Sequence, residues 1–412
     1  MFQSILGLFV FSGIAVLLSE NRKKISARLI ISAISLQLVL GVVTLKFAWI
    51  RQGFFYLNSL VTAISKATGE GTAMVFGYIG GGALPFQESY PGASFILAFQ
   101  SLPLILVMSA LSALLFYWKI IPAMVRFFSV ILNKTLGTGG AEGIGISANI
   151  FVGMVEAPLL VKPYLSTMSR SELFTLMTCG MATIAGTVMV LYATILKPVI
   201  PGILGHILTA SIISAPAAIL ISKSMIPETN DVTEGHLSAP TVYKSVMDAV
   251  TKGTVSGIDL MINIVAMIIV LVALVSLVNM TLELMPLFKG QPFTLQRILG
   301  WIMAPATWLM GIPWSEAPAT GALMGTKTIL NEFIAYLDLT RMPAGEISER
   351  SRVIISYAMC GFANPGSLGI MIGGMGAMVP ERRDEIVSLG FRSIVAGTLA
   401  TCMTGAVAGI CL

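Results

Sequence analysis

The chain has 412 residues, of which 56% are hydrophobic and only 11% charged, and it carries a formal net charge of +5. Soluble domains carry roughly 25% charged residues, so this composition excludes an ordinary water-soluble fold and fits a chain that lies in a bilayer. The positive charge is scattered over loops, which excludes a nucleic-acid-binding stripe or a basic tail and matches the usual cytoplasmic excess of Lys and Arg in membrane proteins.

The first apolar segment, residues 2–19, has no basic residues ahead of it. The cluster Arg22, Lys23, Lys24 follows it, and the one small-x-small triplet, Gly13-Ile14-Ala15, lies inside the run. That order predicts a retained first helix rather than a cleaved signal. Further apolar runs predict spans at 25–49, 94–118, 173–196, 200–221, 255–280, 353–371 and 386–411. Residues 53–68, which mix apolar and polar side chains, read as an interfacial helix, and 122–136, with Arg126 and Lys134, as a surface helix. The fold expected is all-α, with about eight crossings and both termini outside. Arg22–Lys24, Glu381–Arg383 and the polar loop 223–252 then fall inside, whereas Arg341, Arg350 and Arg352 fall outside beside Glu346 and Glu349. Cys179, Cys360, Cys402 and Cys411 all sit in apolar stretches with no CxxC pairing, and read as buried free thiols. His206 and His236 have no metal-ligand company, so a metalloenzyme is not expected.

Two apolar segments, 143–165 and 299–336, carry Pro, Gly and Glu in their middles and do not read as clean crossings. Within them, Gly153-Met154-Val155-Glu156-Ala157-Pro158 parallels Gly311-Ile312-Pro313-Trp314-Ser315-Glu316-Ala317-Pro318. Proline is favoured in the first helical turn, and an acid just before it satisfies free N–H groups and the positive dipole end. Each motif therefore predicts a helix start inside an apolar segment, which describes a re-entrant hairpin. Downstream, Cys179-Gly180-Met181-Ala182-Thr183 parallels Cys360-Gly361-Phe362-Ala363-Asn364, and the latter runs into Pro365-Gly366. Asn-Pro-Gly interrupts a helix. Each half thus predicts a hairpin followed by a broken helix, with one crossing between the halves that inverts the second. The organisation expected is 1–136 as N-terminal scaffold with its interfacial helix, 137–222 as the first repeat, 223–290 as a cytoplasmic loop with a long spanning helix, and 291–412 as the second repeat. Inverted repeats with broken helices point to a secondary transporter with its site at the midplane.

The stretches Asn149-Ile150-Phe151-Val152-Gly153 through Pro158, Asn331-Glu332-Phe333 and Gly361-Phe362-Ala363-Asn364 resemble the concentrative nucleoside transporter family, and the similarity runs over nearly the whole chain. The resemblance implies a homotrimer in the inner (plasma) membrane that imports nucleosides by cation symport through an elevator-like movement. It implies no cofactor other than the coupling ion, with sodium expected and a proton as the alternative. Gly153, Glu156 and Val188 match positions that face the nucleobase. Met154 and Val155 stand where the family usually has an amide and a hydroxyl, so an altered base preference or a modified nucleoside-like solute is a second expectation. Glu332, Asn364 and Ser367 match residues that bind ribose hydroxyls, and Phe362 an aromatic that lines or gates the site. Asn149, Val152, Thr183 and Ile184 match the sodium site, where Thr for Ser keeps an oxygen ligand. Glu316 is left between a cap and a hinge element. An intramembrane enzyme using Glu156 and Glu332 as an acid–base pair lacks any accompanying nucleophile, metal cluster or phosphate loop, and no catalytic residue is assigned.

Overall fold

The protein is described by a computed structural model covering all residues except 89–92, 235–242, 288–289, 291 and 344; His236 therefore lies outside the described residues. Among the described residues the secondary structure is helical, with no strand. The chain begins with α1 (Phe2–Leu17), α2 (Ala27–Lys46), α3 (Ala48–Phe76), the single turn α4 (Leu97–Gln100) and α5 (Leu104–Tyr117). Six helices follow: α6 (Ile120–Leu136), α7 (Gly140–Asn149), α8 (Glu156–Leu160), α9 (Arg170–Ala182), α10 (Gly186–Leu196) and α11 (Ile203–Met225). After α12 (Val246–Leu282) come six more: α13 (Leu295–Leu309), α14 (Ala317–Ile329), α15 (Glu332–Arg341), α16 (Glu349–Met359), α17 (Pro365–Met378) and α18 (Arg383–Cys411).

Six helical stretches are long and apolar enough to cross a membrane: Ala27–Lys46, Leu97–Tyr117, Arg170–Leu196, Ile203–Met225, Val246–Leu282 and Pro380–Cys411. Two of the expected crossings are absent from that set for different reasons. Phe2–Leu17 is a single helix of 16 residues, about 24 Å at 1.5 Å per residue, short of a 30 Å hydrocarbon core. The run expected at 353–371 is divided into α16 and α17 by Cys360–Asn364. The interfacial helix expected at 53–68 is the middle of a longer helix, α3, of 29 residues.

Side-chain caps start several of the helices around the interruptions. Ser169 and Glu172 form a reciprocal capping box on α9, and Asn331, Ser348 and Asn364 accept from the third residue of α15, α16 and α17. The two six-helix runs pack in parallel fashion: α7 on α9 and α14 on α16, α9 on α11 and α16 on α18, α9 on α18 and α16 on α11. The last four of these pairs bury the polar Ser214–Thr404 bond in the core between α11 and α18. Helices α1 and α2 pack on α11 and α18. The peripheral pair is α5 and α12. Gly253 and Gly257 of α12 let the two backbones meet: an added Cβ at either would lie 2.8 Å from a Cα of α5, at Ala110 or Leu106.

Candidate functional site

The central cavity, of about 160 Å³, lies between the turn before α8, the break between α9 and α10, the start of α15, the break between α16 and α17, and the flank of α12. All nine residues nominated for substrate line it: Gly153, Met154, Val155, Glu156, Val188, Glu332, Phe362, Asn364 and Ser367. They come from four separate elements, and each reaches the cavity because a helix stops there.

At one end, Glu332 starts α15 and is 4% exposed. Its Oε1 accepts from Tyr192 Oη at 2.7 Å and its Oε2 from Asn364 Nδ2 at 3.2 Å. Asn364 also uses Oδ1 to accept from Ser367 N at 2.8 Å, so the residue that caps α17 is the one that steadies the carboxylate. A charge-assisted bond of this kind is stronger than a neutral one, and the fork holds both oxygens in a fixed plane. Tyr192 in turn packs against Tyr336, with ring centroids 5.1 Å apart and the planes tilted by 49°. The result is an acceptor-rich, rigid end suited to hydroxyl groups.

At the other end, Glu156 opens α8 with Pro158 in its first turn, as the sequence predicts. Its carboxylate folds over Gly153, and a Cβ there would lie 2.2 Å from Oε2, so only glycine admits this conformation. Glu156 and Thr187 also line a second cavity bounded by Ser109, Phe116, Tyr243 and Ser256, so they stand between the two spaces. Met154 and Val155 present apolar surface, and Val155 packs closely on Gly374 of α17.

The residues nominated for sodium fall together at the first interruption. Asn149 ends α7, is 1% exposed, and donates Nδ2 to Gly145 O at 3.3 Å. Its Oδ1 has no partner among the described residues and lies 3.6 Å from the Cβ position of Gly180 on α9. Thr183, just past the end of α9, donates Oγ1 to Cys179 O at 2.9 Å, which leaves its lone pairs free. Phe151 O accepts from Gly186 N at 3.1 Å and ties the hairpin turn to the start of α10. Val152 lines the second cavity, and Ile184 is fully buried in the break. An orphaned buried amide oxygen, a hydroxyl oxygen and the free carbonyls of a stopped helix are the donors a hard cation takes.

Two differences concern points that the sequence reading leaves open. Glu316 does not share the cavity with Glu156. It lies in the turn between α13 and α14, where its Oε2 accepts from Ser348 N at 3.2 Å and Ser348 Oγ at 3.1 Å. The matched Glu-Ala-Pro motifs thus mark helix starts of similar chemistry at different places, and the carboxylate opposite Glu156 is Glu332. The second difference is Tyr192 and the α12 face, Leu260, Asn263, Ile264, Met267 and Leu271, which line the cavity and were not nominated. Tyr192 could have been found only by a search for a donor to Glu332, and the α12 residues carry no local signal at all. The four cysteines are free and buried, as expected.

The family described as Na+ dependent nucleoside transporter matches this chain with its C-terminal part over residues 206–409 and its N-terminal part over 6–79, and a nucleoside recognition "Gate" segment matches 98–199. The chain is 36% identical to an uncharacterized transporter of Bacillus subtilis, with 98% of each chain covered. It is 34% identical to a nucleoside permease of Helicobacter pylori, with 99% of this chain and 97% of that one covered. Among solved structures, the protein CNTnw in an inward-facing substrate-bound state superposes with a TM-score of 0.91 at 34% identity, over 100% of this chain and 97% of that one. A doubly substituted form of CNTnw in an outward-facing state gives 0.90, also at 34% identity and over 100% and 97%.

Proposed function

Because this chain belongs to the concentrative nucleoside transporter family, whose members are transporters and not enzymes, we propose that it imports nucleosides by symport with sodium. The observation that carries the substrate reading is the Glu332 fork. A carboxylate fixed by Tyr192 and Asn364 keeps lone pairs toward the cavity, and a ribose diol supplies the donors. The base would lie against Gly153, Met154, Val155, Glu156 and Val188. With Met154 and Val155 apolar, this end grips a base through packing and through Glu156, and favours solutes with a less polar edge there.

Sodium would sit between Asn149 Oδ1, Thr183 Oγ1 and the carbonyls around Val152 and Ile184, at the C-terminal end of α9. The orphaned, buried Asn149 oxygen supports this reading. The protein would work as a homotrimer in the inner membrane, with α5 and α12 still and the repeat core moving past them as an elevator.

The experiment is uptake of several labelled nucleosides into proteoliposomes with and without a sodium gradient. Accumulation is expected to collapse when choline replaces sodium. Uptake that persists in choline and follows an imposed pH gradient would assign the coupling to protons and overturn the Asn149–Thr183 site.

A further inference from the structure

Lys327 belongs to the last turn of α14 and is fully buried, yet among the described residues it forms no ion pair. Its Nζ donates to Ala358 O at 3.1 Å and to Thr401 Oγ1 at 2.8 Å. Burying an ammonium costs several kcal/mol unless its surroundings compensate. Two features do so. Ala358 O is in the last turn of α16, which stops at Cys360 in the protein interior, so it is one of the free carbonyls at the negative end of a half-helix. The Glu332 carboxylate, on the next helix of the same hairpin, also acts on Lys327 electrostatically. One ammonium thus ties α14, α16 and α18 together beside the Glu332 end of the cavity.

The first repeat has a matching place. There the last residue of α7, Asn149, approaches the last turn of α9 with an unpartnered oxygen, and α9 likewise stops in the interior. One interrupted helix therefore faces a neutral amide with an unpartnered oxygen, and the other faces a cation fixed to the chain. We propose that Lys327 is a positioning residue for the sugar end of the site, a built-in cation that holds the second interruption and the Glu332 turn in their binding arrangement. The inference rests on the reading of Glu332 as the ribose contact.

The test is uptake by proteoliposomes of the unaltered protein, Lys327→Met, Lys327→Arg and Thr401→Val, each with a ribonucleoside and its 2′,3′-dideoxy counterpart. The unaltered protein is expected to prefer the ribonucleoside. Lys327→Met should raise the ribonucleoside KM by about tenfold or more, the loss expected for a charged hydrogen bond, and leave the dideoxy KM within about twofold. Lys327→Arg, which keeps the charge, should recover part of the preference. An equal loss for both substrates, or an unchanged ratio between them, overturns the proposal. If Lys327→Met does not reach the membrane folded, Thr401→Val decides by the same ratio, since it keeps the ammonium and its bond to Ala358; a fall in the ribonucleoside preference is then required. If the unaltered protein takes both substrates equally, the ribose reading of Glu332 fails first and the inference falls with it, a result distinct from a normal preference that Lys327→Met leaves intact.

Discussion

At the scale of single residues, the two ends of the cavity follow different rules. The Glu332 end, the one proposed for the sugar, is built from side chains that hold one another. Asn364 caps a helix with one atom and donates to Glu332 with another, so any change there costs both a cap and a partner. The Glu156 end, the one proposed for the base, is less constrained, because Met154 and Val155 meet the cavity with carbon and sulfur alone. Substituting Met154→Gln and Val155→Thr is close to volume-neutral and adds donors and acceptors without disturbing the Glu156–Gly153 contact. The expected outcome is a gain of about 1 kcal/mol for each hydrogen bond made to a polar base edge, or roughly fivefold in affinity, measured as a lowered KM across a panel of nucleosides. An unchanged order of preference would mean that these positions do not face the base.

At the scale of helices, the fold depends on stopping and on close approach. Helices α9 and α16 end in the interior: at the end of α16 Lys327 donates to the Ala358 carbonyl, while at the end of α9 the unpartnered Asn149 Oδ1 lies near Gly180. Free carbonyls in a low-dielectric interior are costly without a donor or a cation. Close approach is most direct between α5 and α12. In lipid, helices associate through tight packing of small residues rather than through apolar burial. Gly257→Val would force its side chain into the α5 backbone at Leu106, so it should destabilise the protein by about 1–3 kcal/mol. The reading is a lowered melting temperature in detergent, compared with Gly69→Val, where an added side chain meets nothing within 4 Å.

At the scale of the molecule, the cavity has walls of two kinds. Most of it belongs to the two six-helix runs, and one wall is α12, which is largely exposed and packs mainly on α5. If the core moves past α5 and α12 during transport, tying the two should stop it. Met267 of α12 reaches Gly366 of α17, its methyl group lying 3.1 Å from the Cβ position there. Cysteines at Met267 and Gly366, joined by a short reducible bifunctional thiol reagent, are expected to arrest uptake, and reductant to restore it. The four native cysteines are buried and serve as the background. Full uptake in the cross-linked protein would rule out that movement.

The family resemblance nominated nine of the residues that line the cavity, while the amino-acid sequence read locally determined the class of the protein, most helix positions and both interruptions. These are legible because they depend on local chemistry: apolar length sets a span, proline and glycine set a break, and a capping residue sets a start. The pairing of Glu156 with Glu316 shows where local chemistry ends. Both precede Ala-Pro and both start a helix, but α13 and α14 form their own close pair, which carries Glu316 to Ser348 and leaves Glu332 to face Glu156. Only the tertiary structure decided where Glu316 lies, as it decided the contacts of Tyr192, Lys327 and the α12 wall. Each of these is defined by a partner far away in the chain, and a distance in space between remote segments leaves no mark in local spacing.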